Sequence, residues 1–274
     1  MEFFATSNNI PVHINDSKKG EITILLLHGY LETLYIFNEL SESLEKKYRV
    51  ISIDLPGHGL SGSAAEVNSM EFCSQVALCV LDKCNVSGAV YVAGHSMGGY
   101  VAQQIVKDWM NEPSGWKFNI KGLVLLNSVP YADSEEKKQA REHEIELIGK
   151  EMLDSIAEIS IPKMYKAENL RKFDEKIIET QEICETHDPA GICASIRGMM
   201  QRCDYSDFIK KISSEGFKVL FVHGDSDKFN PIERIQTIKD EFPNVRTEIL
   251  KESGHNSFIE AEDSLMSLMT DFLE

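Results

Sequence analysis

Gly94-His95-Ser96-Met97-Gly98 sets a serine between glycines, directly after the apolar run Ala89 to Ala93 and before a segment of helical period from Gly98 to Asn111. In a sharp strand-to-helix turn, G-x-S-x-G holds its serine in a strained backbone conformation and lifts the hydroxyl clear of the sheet, provided the residues at 94 and 98 are small. That is a nucleophile's geometry. A serine hydroxyl is weak at neutral pH, so it needs a base, and the base needs a group that holds its tautomer. Among eight histidines, His255 in Ser253-Gly254-His255-Asn256 is best placed to be the base, on a loop past the last expected strand. The acid is expected after the preceding strand, in His223-Gly224-Asp225-Ser226-Asp227-Lys228-Phe229-Asn230-Pro231. Two aspartates compete there. Asp225 is close to the strand end and suits turn formation through its own backbone hydrogen bonds. Asp227 lies further out, where a loop can aim it at His255, and it is the favoured candidate.

Acyl transfer also needs donors for the developing oxyanion. The Met97 N–H, at the start of its helix, is one candidate. The Tyr30 N–H is the second, in His28-Gly29-Tyr30 after a strand ending at Leu27, with Gly29 allowing close approach of backbone to a ligand. His28 itself reads as structural. Asp54-Leu55-Pro56-Gly57-His58-Gly59-Leu60-Ser61 is dense in turn formers and reads as a rigid turn at the sheet edge. His28, His58, His95 and His223 all fall at C-terminal ends of expected strands, the edge where ligands bind in such sheets. No paired carboxylate or H-x-x-x-H spacing accompanies them, so no metal is expected, and the serine chemistry requires no cofactor.

The elements that must position these residues are legible as short apolar runs rich in β-branched residues: Ile22 to Leu27, Val50 to Ile53, Ala89 to Ala93, Leu123 to Leu126 and Lys218 to Val222. Continuous apolar character suits strands covered on both faces, as in parallel sheets. Leu34 to Lys47, Ser69 to Cys84, Gly98 to Asn111 and Ile232 to Phe242 carry helical period between them. The alternation predicts a doubly wound α/β fold. Glu2 to Ser7 and Ile10 to Ile14 flank Asn8-Asn9, a hairpin signal, and predict an antiparallel edge. Val245 to Leu250 reads as a last strand and Ser264 to Leu273 as a closing helix.

Between about Tyr131 and His187 the strand pattern stops and charged residues recur with helical period, so 131–187 is expected to be a helical insertion between core strands. Ser134 is a plausible N-cap within it, Pro162 begins or interrupts a later helix, and Asp188-Pro189 opens a helix running to about Gln201. A separate helical domain is disfavoured, because strands resume at Lys218 and each flanking half lacks a complete sheet.

The chain has 274 residues, 42% of them hydrophobic, enough for one large domain or one domain with an insertion. Against 28 Lys and Arg stand 44 Asp and Glu, a net charge of −16 that repels phosphate backbones and anionic lipid. Neither nucleic acid nor membrane is therefore an expected partner; a small acyl substrate is, and the oligomeric state stays open. The N-terminus shows no basic segment followed by a long apolar one, so a cytoplasmic protein without signal peptide or membrane span is expected. Cys73, Cys79, Cys84, Cys184, Cys193 and Cys203 lack CxxC spacing and read as buried or idle thiols.

Taken together, His28-Gly29, Asp54-Leu55-Pro56-Gly57-His58-Gly59, Gly94-His95-Ser96-Met97-Gly98-Gly99, Gly224-Asp225-Ser226-Asp227 and Gly254-His255 resemble the α/β-hydrolase superfamily in identity and order, over nearly the whole chain. The resemblance implies the α/β-hydrolase fold, a mostly parallel central sheet flanked by helices. It implies Ser96, Asp227 and His255 as a catalytic triad and the Tyr30 and Met97 amides as the oxyanion hole. Residues 1–130 and 188–274 would form the core domain, and 131–187 a helical cap, or lid, over the active site. Epoxide hydrolases and haloalkane dehalogenases of this fold use aspartate as nucleophile, where this chain has serine. Carbon–carbon bond hydrolases usually have asparagine before the serine and tryptophan after the histidine, where this chain has His95 and Asn256. Gly-His-Ser-Met-Gly-Gly is common among carboxylesterases and lipases, so a carboxylesterase-like serine hydrolase of small esters is expected. A ligand receptor on the same scaffold, or an acyltransferase or perhydrolase, is the alternative. Met152, Ile156, Ile161, Met164 and Tyr165 could line a pocket, although residues at such spacing more often pack.

Overall fold

Among the described residues of the computed structural model, 1–64 and 66–274, eight strands form one sheet. They are β1 (Glu2–Ser7), β2 (Ile10–Asp16), β3 (Thr23–Leu27), β4 (Arg49–Ile53), β5 (Gly88–His95), β6 (Phe118–Leu126), β7 (Lys218–Gly224) and β8 (Arg246–Leu250). Their order is β1-β2-β4-β3-β5-β6-β7-β8, with the first two strands antiparallel and β4 onward parallel. The edge hairpin turns on Asn8 and Asn9, whose φ values of 47° and 66° suit the right-handed twist of the strands it joins.

The helices are α1 (Asn38–Leu44), α2 (Met70–Lys83), α3 (Met97–Asn111), α4 (Glu135–Ile148), α5 (Leu153–Ser160), α6 (Asp174–Glu185), α7 (Pro189–Gln201), α8 (Ser206–Ser214), α9 (Ile232–Glu241), α10 (Ser257–Glu260) and α11 (Glu262–Leu273). Successive strand side chains alternate between faces, and this splits the apolar residues into two cores. Leu25, Val92, Leu125 and Phe221 join one with α2 and α3. Ile24, Ala93, Leu126 and Val222 join the other with α1, α10 and α11. Each such buried Leu, Ile, Val or Phe side chain contributes about 1.5–3 kcal/mol, and burial on both faces explains why the central strands read as unbroken apolar runs.

Several elements differ from expectation, among them the short α10, which no segment of helical period announces. Strand β6 begins at Phe118, five residues before Leu123, because its first half alternates buried Phe118 and Ile120 with exposed Asn119 and Lys121 instead of running continuously apolar. Leu34–Phe37 is a 3-10 turn that precedes α1, so the first helical segment is two elements. Helix α8 had no counterpart in the sequence reading; it is short, and Ile209 and Ile212 are its buried isoleucines.

Helices α4 to α8 lie between β6 and β7. Ser134 caps α4 by accepting from the Lys137 N–H, and Asp188 caps α7 by accepting from the Ala190 N–H, with Pro189 in the first turn. Ile148, Ile156, Ile161 and Ile177 of this segment belong to the same continuous core as the α2/α3 face of the sheet. Among the described residues no helix is long and apolar enough to cross a membrane.

Strand register decides what meets at the C-terminal edge. Leu27 pairs with Ile53 and Gly94, and His95 with Leu126, so the loops after β3, β5 and β6 emerge side by side. Gly224 pairs with Leu250, which brings the loops carrying Asp227 and His255 together.

Candidate active site

Ser96 occupies the junction between β5 and α3 with φ 48° and ψ −111°, a left-handed backbone that costs a non-glycine residue about 1–3 kcal/mol. The surroundings impose it. The Ser96 N–H donates to the Leu126 carbonyl at 3.0 Å, and its carbonyl accepts from the Ser128 hydroxyl at 2.7 Å. A Cβ at Gly94 would lie 2.2 Å from the Gly98 carbonyl oxygen, and one at Gly98 would lie 2.2 Å from that of Leu27, so both positions are closed to any side chain.

His255 follows β8, and its Nδ1 is 2.8 Å from Asp227 Oδ2. Asp227 is 3% exposed and also accepts from the Phe229 and Asn230 N–H groups, from Asn127 Nδ2 and from Asn230 Nδ2. Burial works to raise the Asp227 carboxyl, but the His255 charge and hydrogen bond, with those of Asn127 and the Phe229 N–H, outweigh it and hold the group far below the usual carboxylate range. Asp225 instead accepts from the Ser226 hydroxyl at 3.0 Å and faces the Ser253 N–H, a role in the turn. The His255 ring lies between Phe229 and His95, at centroid distances of 4.7 and 4.9 Å.

Ser96, His255 and Tyr30 line one cavity of about 280 Å³, together with Asn127, Met164 and Phe229. The Tyr30 hydroxyl donates to Glu144 on α4 at 3.0 Å. Met97 buries its side chain in the core while its N–H sits in the first turn of α3, among the amides that a helix leaves without intrahelical partners. Of the five candidate lining residues, Met164 reaches the cavity; Ile156, Ile161 and Tyr165 are packed in the core and Met152 is 39% exposed.

Several residues that hold this arrangement had not been singled out. Glu32, 1% exposed, accepts from the Gly29 N–H at 2.7 Å and lies 2.9 Å from His95 Nδ1. Burial raises the Glu32 carboxyl, yet His95 and the Gly29 N–H together hold it below its ordinary value. The other nitrogen of His95 is 3.2 Å from the His255 carbonyl oxygen, so Glu32 and His95 tie the loop after β3 to the loop of His255. Gly29 leaves room for this pair, since a Cβ there would lie 2.7 Å from His95 Nδ1. Asn127, with φ 48°, donates to both Asp227 and the Gly254 carbonyl and accepts from the Ser257 hydroxyl. Its position, directly after an apolar strand, is the same signal that marked His95. Glu32 carried no such signal.

The insertion grips the loop of His255. The Asn256 N–H donates to the Met164 carbonyl at 2.8 Å, and Glu260 accepts from the N–H groups of Gly254 and Lys166 and from the Asn169 amide.

The strand-end histidines divide by partner. His28 has Nε2 accepting from the Leu55 N–H at 2.9 Å and Nδ1 at 2.7 Å from the Gly29 carbonyl, a structural role. Asp54 accepts from the Leu34 and Leu60 N–H groups and bonds His13, which makes the 54–61 segment a rigid turn. His58 and His223 are buried with both ring nitrogens unpartnered among the described residues. His187, at the start of the α6–α7 connection, accepts from the Gly59 N–H, and burial drops its pKa from 6.5 to about 4. Between those values the unfolded chain binds more protons than the folded one, so this contribution is complete above pH 6.5 and is lost as the pH falls toward 4. The loss from His187 between pH 7.5 and 5 is about 2 kcal/mol. In urea unfolding, His187→Gln is expected to lessen the acid-induced drop in stability by about that amount; an equal drop in both proteins would contradict the assignment.

A family model described as alpha/beta hydrolase fold matches residues 22–143. The pimeloyl-[acyl-carrier protein] methyl ester esterase of Nitrosomonas europaea is 22% identical, over 93% of this chain and 97% of that protein. A dihydrolipoyllysine-residue acetyltransferase component of an acetoin cleaving system, from Pseudomonas putida, is 36% identical over 89 residues, which are 32% of this chain and 23% of that protein. Among solved structures, a thermophilic esterase from Thermogutta terrifontis superposes with a TM-score of 0.88 over 100% of this chain and 98% of its own, at 24% identity.

Proposed function

We propose that the chain, which has the fold of the α/β hydrolases and matches their family model over residues 22–143, is a carboxylesterase-like serine hydrolase that cleaves a small ester through an acyl-enzyme. In this mechanism Ser96, Asp227 and His255 are the triad. With Nδ1 held by Asp227, His255 takes the Ser96 proton through Nε2 as the hydroxyl oxygen attacks the ester carbonyl carbon. The Tyr30 and Met97 N–H groups receive the oxyanion. Collapse of the tetrahedral intermediate breaks the carbon–oxygen ester bond, and the alcohol leaves with the proton from His255. Water, deprotonated by the same ring, then attacks the acyl-enzyme and releases the acid with Ser96 restored. Residues 131–187 act as a cap on the core formed by 1–130 and 188–274, and they supply Met164 and part of α4 to the cavity wall.

The observation that carries this reading is a serine on a strained turn and a carboxylate-held imidazole lining one cavity. A cavity of about 280 Å³ lies at the small end for ligand sites, which suits a short ester. Purified protein is expected to turn over p-nitrophenyl acetate and butyrate many times, with kcat on the order of 1–10³ s⁻¹. A single equivalent of p-nitrophenol with retained acid would instead indicate a receptor. Release outpaced by transfer to an added alcohol or to peroxide would indicate an acyltransferase or perhydrolase.

A further inference from the structure

We propose that the ester carries a free carboxylate, on its acyl or its alcohol part, and that Lys137 and Arg141 of α4 bind it. The inference rests on the esterase reading above and names its substrate class. Lys137 and Arg141 line the same cavity as Ser96 and His255. Their spacing of four puts them on one face of α4, one turn apart. Two cations in a small cavity are unexpected in a chain with 44 acidic and 28 basic residues.

The charges nearby do not cancel them. Three cations share the buried carboxylate of Asp133: Arg141 Nε at 2.7 Å, Arg202 Nη1 at 2.9 Å and Lys137 Nζ at 3.8 Å. Arg202 is committed elsewhere as well, to the Tyr131 carbonyl and to the Tyr100 ring, whose centroid is 3.8 Å from the guanidinium carbon. Arg141 spends only Nε on Asp133, and its two terminal nitrogens make no hydrogen bond among the described residues. Lys137 stands beyond hydrogen-bond distance from Asp133 and is 41% exposed along its side chain. Glu144, the one carboxyl among the described residues that line the cavity, is pushed up by burial, against the lowering effects of the Tyr30 hydrogen bond and the Arg141 charge, and it accepts from the Tyr30 hydroxyl. Tyr100 registers the resulting field: burial acts to raise its hydroxyl, but Arg202, Lys137 and Arg141 together bring it below its ordinary value.

An unspent guanidinium fork next to an ammonium is complementary to a planar carboxylate, which it can hold by two parallel hydrogen bonds. Fixed at one end on α4, the substrate would have its ester carbonyl positioned in the same cavity as Ser96. A neutral ester of equal shape would offer no acceptor to the two terminal nitrogens of Arg141 or to the Lys137 ammonium in a partly desolvated site.

Two pairs of isosteres test this, each with an isopropyl group in place of the carboxylate. On the acyl side the pair is p-nitrophenyl hemisuccinate and p-nitrophenyl 4-methylpentanoate. On the alcohol side it is 3-acetoxypropanoate and 3-methylbutyl acetate. In at least one pair the wild-type kcat/KM is expected to favour the anion by about ten- to a hundredfold, mainly through KM, and that pair identifies the side. Lys137→Gln/Arg141→Gln is expected to erase the preference, Arg141→Lys to retain part of it, and 0.5 M salt to shrink it. Equal or better turnover of both neutral esters would overturn the inference and leave the esterase reading standing. Failure of all four esters would overturn the esterase reading. In that case calorimetry with succinate decides the anion site, since succinate binding by the wild type and not by the double variant is the result required of it.

Discussion

Ser96→Ala is expected to lower kcat/KM for p-nitrophenyl butyrate by at least ~10⁴ and to abolish labelling by a fluorophosphonate. Without the hydroxyl no acyl-enzyme forms, and only oxyanion stabilisation and substrate binding remain, which in triad enzymes leave about 10³–10⁴ over the water reaction. Alanine meets the same left-handed backbone as serine, and the hydrogen bonds that hold this residue run through its main chain. The melting temperature should therefore stay within a few degrees of the wild type, so that lost turnover reports chemistry and not unfolding. Retained turnover within tenfold of wild type would show that some other group is the nucleophile.

Asp227→Asn is expected to cost about 10⁴ in kcat. An amide that donates toward His255 Nδ1 would put the ring's proton on Nε2, the nitrogen that must accept from Ser96. The same change sets that NH₂ group against the Asn127 and Asn230 side-chain amides, which now donate to the same oxygen as His255, a mismatch of about 1–3 kcal/mol in stability. Asp225→Asn is the control. Its carboxylate serves the Ser226 hydroxyl and the turn, so kcat should fall by less than about tenfold. A larger loss from Asp225→Asn than from Asp227→Asn would reverse the two roles.

Much of the scaffold was legible because the dominant signals are local. The central strands advertise themselves by being apolar on both faces, Asn8-Asn9 by its tolerance of positive φ, and Ser134 and Asp188 by their capping chemistry. Ser96, Asp227 and His255 were legible because each follows a strand end, and parallel strands deliver their C-terminal loops to one edge. The first half of β6 escaped because its alternating burial lacks the continuous apolar signature. Glu32 and Asn230 escaped for a different reason. A polar residue in a loop acquires a role only when long-range register brings a partner to it, and the His95 ring that meets Glu32 is 63 positions away. Lys137 and Arg141 lie in a stretch where charged residues simply recur with helical period, and their placement on a cavity wall depends on how α4 settles against the rest of the chain.

The grip of residues 164–169 on the loop around His255 couples two segments far apart in sequence. Glu260 and the Asn256 amide make residues 164–169 and the loop of the imidazole mechanically continuous at that margin. A displacement of residues 164–169 would therefore be transmitted through these hydrogen bonds to the chain on either side of the imidazole.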